Sequence, residues 1–419
     1  MTPDHPTWHA AELRKQLAED LARAGHVRSA EWRAAVESVP RQEFIPEFFA
    51  KIDRIDGPTL WDPISAERSG DDRWLEVVYE DISHVTQLDG KTTAADVVEA
   101  VDGNPTSSST MPSLVVQMWE DLEVVDGNRV LEIGTGTGYS TALGCHRLGE
   151  DNITSVEVDP QVAARAGRAL GRAGYRPHLV VGDGEAGSPD RAPYDRIIAT
   201  CSFRYVPSAW LEQSKPGTII LVTLSGWIGG TGLVKLTVTG DRTAEGQFLP
   251  GYVSFMSARA HNPEPAIIPN LSEGSGSRET ELGPEVLTAY GPAQLVAQLA
   301  VPEAQHINFG PGGDLPEHLL VQPDESYAAL SGTAANWTVE QGGPHRLWDQ
   351  VETALAGWRQ AGEPDIETFH VTVKPGEQQV QIPGGPSWRL PSGGETGSQS
   401  GLGRLQVTPH TDRCPGTDG

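Results

Sequence analysis

The run Val130-Leu131-Glu132-Ile133-Gly134-Thr135-Gly136-Thr137-Gly138-Tyr139 carries the clearest chemical signal in the chain. An apolar stretch ends, glycines follow at alternate positions, and a helical segment begins. Glycine lets the backbone approach a ligand without a Cβ clash, and the first turn of the following helix offers free N–H groups. A nucleotide-like ligand therefore belongs at this turn, outside the carboxyl end of a strand. A dinucleotide fingerprint would need its third glycine at 139, where Tyr139 stands, which disfavours a nicotinamide oxidoreductase. Two further acids close strand-like runs. Glu157 ends Ser155-Val156-Glu157-Val158, about 20 residues past the glycines, where a bidentate acceptor for ribose hydroxyls belongs. Asp183 sits in Gly182-Asp183-Gly184. A strand-end Asp is often only a helix N-cap, but acids at three successive strand ends point jointly to a ligand. Hydroxyls crowd Ser107-Ser108-Ser109-Thr110 just before Met111-Pro112, where they could also cap a helix.

A frame must hold these residues. Arg129–Thr135, Asn152–Asp159, His178–Asp183, Tyr194–Cys201 and Thr218–Leu224 read as near-continuous apolar strands separated by helices, hence a parallel sheet covered on both faces. Pro160–Ala173 reads as a helix with Asp159 as N-cap and Gly174 as terminator. Met111–Leu122 carries Leu114, Met118 and Leu122 on one stripe, and Leu233–Thr239 and Gly251–Met256 read as antiparallel additions to the sheet. Upstream, His9–Ala24 and Glu31–Ser38 have helical spacing, residues 41–46 form an irregular turn before Phe48 and Phe49, and Trp74–Leu88 has no clean period. Ala260–Leu282 is rich in Pro, Asn, Ser and Gly. Beyond it lie a helix over Pro344–Arg359 and two strands, Phe369–Val373 and Gln378–Ile382. The expected class is α/β, with a helical N-terminal extension and a smaller α+β C-terminal domain. The expected units are 1–260, a linker 261–283, an accessory unit 284–390 and a disordered tail 391–419.

Composition narrows the partners. The 419 residues carry 31 basic against 57 acidic side chains, a net charge of -26, which opposes binding to nucleic acid or anionic lipid. No apolar run approaches the roughly 18 residues of a membrane span, and Met1–Trp8 lacks a signal-peptide core, so a cytoplasmic location is expected. Cys145, Cys201 and Cys414 are too few and too scattered for a disulfide scaffold or a zinc site. His5 and His9 have ligand-like spacing, but Pro6 lies between them, and no metal is expected.

The Glu132–Gly138 pattern resembles motif I of the Rossmann-like, S-adenosylmethionine-dependent methyltransferases. Val39-Pro40-Arg41-Gln42-Glu43-Phe44-Ile45-Pro46, Tyr79-x-Asp81, Ser107–Pro112, Tyr194–Thr200 and Gln213-x-Lys215-Pro216-Gly217 together resemble the protein-L-isoaspartate O-methyltransferase family over residues 10–260. That resemblance implies S-adenosylmethionine as cofactor, with contacts from Ser108, Glu132, Gly134, Gly136, Gly138, Glu157, Val158, Asp183 and Gly184, Asp183 meeting the adenine amino group. It also implies a hydroxyl two residues before the proline, beside the reacting carboxylate. Thr110 stands there in place of the usual serine, so Thr110 or Ser109 supplies it. The extended architecture and the Thr106–Leu114 run look like homologues associated with ribosomally made peptides, nearest those acting on ω-ester-linked graspetides, with lanthipeptide and lasso relatives similar. This implies methylation of an aspartate in a cross-linked peptide, followed by aspartimide closure. The alternatives are repair of L-isoaspartyl residues and a non-catalytic cofactor-binding scaffold. Trp348 and Trp388 are candidate peptide anchors, with the core as the competing place for Trp348 and Trp358. Arg41 and Arg259 are candidate cations for an acidic substrate.

Overall fold

In the computed structural model, residues 5–52, 59–271, 276–310, 315–333 and 336–391 are described. The expected disordered tail lies outside them apart from Pro391. Helices α1 (His5–Arg23) and α2 (Ala30–Ser38) open the chain, and the Ser29 hydroxyl caps α2 by accepting from the Trp32 N–H. There follow β1 (Glu47–Ile52), β2 (Leu60–Ser65), α3 (Ala66–Ser69), α4 (Asp71–Val78), β3 (His84–Leu88), β4 (Val101–Asp102) and β5 (Pro105–Ser109). These strands form a five-stranded antiparallel sheet in the order β4-β2-β1-β3-β5. The N-terminal region thus holds a sheet as well as the expected helices. Its pattern was masked because β1 sends Phe48 and Phe49 into two different cores, and β5 is Pro-Thr-Ser-Ser-Ser, with almost no apolar signal.

The central frame is α5 (Pro112–Asp121), β6 (Val130–Ile133), α6 (Tyr139–Leu148), β7 (Ile153–Glu157), α7 (Pro160–Arg172), β8 (His178–Val181), β9 (Tyr194–Phe203), α8 (Ser208–Glu212), β10 (Ser214–Ser225), β11 (Thr231–Gly240) and β12 (Thr243–Phe248). Strands β10, β9, β6, β7 and β8 run parallel, as their apolar composition requires: every residue of β6 and β7 is buried. Asp159 caps α7 by accepting from the N–H groups of Gln161 and Val162. The second antiparallel addition is β12. Gly251–Met256, expected as a strand, is irregular chain instead. It crosses the carboxyl ends of the parallel strands, and its carbonyls are taken by β9 and β11: Ser202 N donates to Met256 O and Thr231 Oγ1 to Val253 O.

Downstream lie β13 (Ser277–Thr280), α9 (Glu285–Thr288), α10 (Pro292–Ala300), β14 (Gln305–Asn308), β15 (His318–Val321), β16 (Tyr327–Thr333), β17 (Asn336–Gly342), α11 (Leu347–Gln360), β18 (His370–Lys374), β19 (Glu377–Gln381) and β20 (Ser387–Arg389). The stretch 284–390 divides between two sheets. Strands β14–β17 pair with β13 as a separate five-stranded sheet, whereas β18–β20 extend the main sheet to ten strands beyond β12. One apolar core runs from Ile197, Ile220 and Leu236 to Leu347, Trp348 and Val371. Trp348 is fully buried, its Nε1 donating to Thr280 Oγ1, so it is packed in the core and cannot anchor a ligand. Trp358 is likewise buried, and half-buried Trp388 stacks beside Phe369. No helix among the described residues is long and apolar enough to cross a membrane, and none of them form a metal-ligating cluster.

Candidate active site

A cavity of about 360 Å³ opens at the carboxyl ends of β6, β7 and β9. The glycine turn forms its floor, β5 and residues 110–111 one wall, and residues 254–260 the other. Gly134 has φ +94°, and a Cβ there would lie 2.7 Å from Thr200 Oγ1. Gly136 has φ +54°, and its missing Cβ would project toward Ser108 O at 3.3 Å, across the space between turn and β5. Gly138 does not line the cavity. Its bare Cα lets the turn press onto Ala166 and Leu170 of α7.

Ser108, Ser109, Thr110, Gly134, Gly136, Glu157, Val158, Asp183 and Gly184 all line this one cavity. Glu157 Oε2 accepts from Gly136 N at 2.9 Å and Oε1 from Asp159 N at 3.0 Å, which fixes the carboxylate at the rim of β7. Burial pushes its pKa up, while those N–H groups and Arg259 hold it down. Asp183 Oδ1 accepts from Glu185 N at 3.0 Å and so also caps the turn over Gly184–Ala186. Glu132 corrects the sequence reading. Its side chain is fully buried beneath the glycine turn, away from the cavity, and Oε2 accepts from the hydroxyls of Thr141 and Ser155. Position 132 lies within β6, where both faces are covered, so the carboxylate ties α6 to β7 beneath the sheet's rim. Burial raises its pKa.

The hydroxyl cluster does not cap α5. Met111 is the N-cap residue and makes no side-chain cap. Asp81 Oδ1 accepts from Ser113 N at 2.8 Å and Ser83 Oγ from Met111 N at 3.0 Å, so the free N–H groups are served from the loop before β3. Ser109 is 2% exposed, and its Oγ has no hydrogen-bond partner among the described residues. Thr110 is half-buried, and its carbonyl accepts from Arg41 Nη2 at 3.3 Å. Arg41 is no substrate cation. It is wholly buried, donates also to the carbonyls of Val78, Glu80 and Ile82, and burial pushes its pKa down to about 10. Its guanidinium ties the loop before β3 to the hydroxyl strand. Arg259 does reach the cavity, where Nη2 lies 2.8 Å from Asp159 Oδ2. Burial opposes ionisation of Asp159, but Arg259, the N–H groups of Val162 and Gln161, and Gln87 outweigh it and hold the pKa at about 2.

The covering segment 254–260 is the part of the site that residue patterning misses, because Gly251–Met256 reads as a further sheet strand and the rest as the start of a linker. It is held by Ser202 Oγ donating to Phe255 O at 3.1 Å, Ala258 N to Ser202 O at 2.9 Å, and His261 Nε2 at 2.8 Å from Glu185 Oε1. The cavity fits an adenosyl ligand on two counts and an acceptor beside it on a third. The bare Gly136 leaves a cradle, the Glu157 oxygens stand fixed at its rim, and the Ser109 hydroxyl waits without a partner.

Comparison with known proteins agrees with this geometry. The family described as Protein-L-isoaspartate(D-aspartate) O-methyltransferase (PCMT) matches residues 83–232. The protein-L-isoaspartate O-methyltransferase of Ignicoccus hospitalis is 30% identical over 241 residues, covering 57% of this chain and 94% of that protein. That of Hyperthermus butylicus is 30% identical over 227 residues, covering 51% and 75%. A solved protein-L-isoaspartate O-methyltransferase shares the fold, with a TM-score of 0.50 at 21% identity over 88% of this chain and 99% of its own. Because nearly the whole length of such a relative is matched, and the glycine turn and hydroxyl strand fall inside the matched region, this chain belongs to the protein-L-isoaspartate O-methyltransferase family.

Proposed function

We propose that this S-adenosylmethionine-dependent carboxyl methyltransferase acts on an aspartyl side chain of a ribosomally made, cross-linked peptide of the graspetide type, whose methyl ester then closes to an aspartimide. The observation that carries a carboxylate acceptor is the pair Ser109 and Thr110 on the cavity wall opposite the glycine turn, with the Ser109 hydroxyl buried and unpartnered. Bound S-adenosylmethionine supplies an electrophilic methyl group on a sulfonium. Glu157 would hold the ribose hydroxyls, Asp183 and Gly184 the adenine end, and Ser108, Gly134 and Gly136 the chain between. A side-chain carboxyl with an ordinary pKa of about 3.9 is already ionised at neutral pH, so no general base is needed. What the protein must do is align the carboxylate and keep water away from it. A neutral hydroxyl orients the anion without the strong pairing that would quench it as a nucleophile, and residues 254–260 cover the cavity.

The specialised acceptor is supported by Thr110 in the place of the usual serine, within Thr106–Leu114. Repair of L-isoaspartyl residues is the second reading. It is favoured by the fold likeness to a protein-L-isoaspartate O-methyltransferase over 88% of this chain, a span that residues 1–260 alone could not supply. Mass spectrometry separates the two. With S-adenosylmethionine present, an ester-cross-linked aspartyl peptide should gain one methyl group and then lose methanol. Methylation of a linear isoaspartyl peptide alone would assign repair, and methylation of neither would leave a cofactor-binding scaffold.

A further inference from the structure

A second cleft, of about 200 Å³, lies on the other side of the glycine turn and shares Ser107, Gly136 and Thr137 with the main cavity. Its outer wall is one face of α7, which presents Arg165, Arg168 and Arg172. Positions three and seven apart on a helix fall on one side, so the three guanidinium groups line the same trough. Facing them are Glu43 and Glu47. Arg172 is already engaged: Nε lies 2.8 Å from Glu43 Oε2, and Nη2 donates to Glu43 O at 2.8 Å. Arg165 and Arg168 make no hydrogen bond or ion pair among the described residues. Arg165 is half-buried and Arg168 exposed.

This matters because of charge. A molecule at -26 repels an anionic substrate over long distances, and the cation that lines the main cavity, Arg259, is committed to Asp159. Within a Debye length, about 8 Å at physiological salt, local charge decides instead. Two guanidinium groups without a hydrogen-bonded acid, facing Glu47 with Asp96 also in the field of Arg165, make the α7 cleft a place where an added carboxylate can be bound. A planar guanidinium also matches a carboxylate through paired N–H donors. The cleft meets the main cavity at Ser107, two residues before Ser109 on β5, so its occupant would be continuous with the peptide that presents the reacting carboxyl.

We propose that Arg165 and Arg168 form a specificity subsite for an acidic residue flanking the methylated one, so that the preferred substrate is an acidic peptide segment. The inference rests on the carboxyl-methyltransferase reading above. The test uses four peptides, a linear isoaspartyl and an ester-cross-linked aspartyl peptide, each with glutamate or with glutamine at the flanking positions. For whichever scaffold is methylated, the wild-type protein should show a higher kcat/KM for the glutamate form. In the double variant Arg165→Gln/Arg168→Gln, that ratio should fall about 5- to 10-fold, toward one. Rising salt should shrink the wild-type preference in the same direction. Equal kcat/KM for both forms in the wild type, or equal losses on both in the variant, would overturn the subsite. A weakened Kd for S-adenosylmethionine in the variant, measured by calorimetry, would also overturn it, by assigning the arginines to the donor. If the wild type binds S-adenosylmethionine but methylates none of the four, the functional reading fails and the subsite with it.

Discussion

Ser109 and Thr110 stand side by side, but their surroundings separate them. A buried hydroxyl with no partner costs about 1–3 kcal/mol, a cost that persists where function requires the group. Ser109→Ala should therefore lower kcat/KM for the acceptor peptide by about 10- to 100-fold, with S-adenosylmethionine Kd nearly unchanged and the unfolding midpoint the same or slightly higher. Thr110→Val should do less. A larger loss in Thr110→Val, in the same kinetic assay, would hand the role to Thr110. The residue series also marks how far types and spacing reach. The place of Glu157 and Asp183 on the cavity was legible because acids ending successive strands of a parallel sheet share one rim, although Asp183 also caps a turn there. Glu132 was misread because spacing gives its distance along the chain and not the side of the turn to which its carboxylate points. Arg41 looked like a free cation because nothing in its neighbours announces four backbone carbonyls converging on it.

At the scale of elements, β3 carries a second consequence. His84 is buried against Phe48, with ring centroids 4.3 Å apart, and burial together with nearby Arg41 pushes its pKa down to about 3 from the ordinary 6.5. A group depressed in the folded state contributes stability that is in place above its unfolded pKa and is lost as pH falls toward the folded one. Urea unfolding should therefore show stability declining from pH 6.5 toward pH 3, and His84→Phe should flatten that limb. An unchanged slope would mean His84 is solvated. Packing of α6 offers a steric counterpart: a Cβ on Gly144 would lie 2.8 Å from the Trp119 ring, so Gly144→Ala should cost about 1–3 kcal/mol in thermal or urea unfolding. The parallel strands and α7 were readable because continuous apolar runs and a capping Asp-Pro have one structural meaning. Strand β5 and the covering segment 254–260 were not: a hydroxyl-rich strand looks like a loop, and the apolar residues of Gly251–Met256 look like a strand, until their backbone partners are known.

Across the whole molecule, the main sheet depends on its C-terminal end. Strand β12 pairs with β18, and the core that contains Ile220 and Leu236 also contains Val371, Phe369 and Trp358. Cutting the chain after residue 260 would bare that face and leave β12 as an open edge, so the fragment should aggregate or lose cooperative unfolding, as judged by size-exclusion chromatography and a melting curve. A monomeric, cooperatively melting fragment would show that residues 1–260 stand alone. The composition could announce that a second region exists, but not that three of its strands belong to the first sheet, because pairing across more than a hundred residues leaves no local trace.

The claim on which the rest depends is that a carboxylate oxygen receives the methyl group in the cavity beside Ser109. It is tested most directly by incubating the protein with methyl-labelled S-adenosylmethionine and the acceptor peptides, then treating the product with mild base. A methyl ester should release the label as methanol from wild-type reactions, at about 10- to 100-fold lower rate with Ser109→Ala. Label that resists base, or no transfer to any peptide by a protein that still binds the donor, would contradict it.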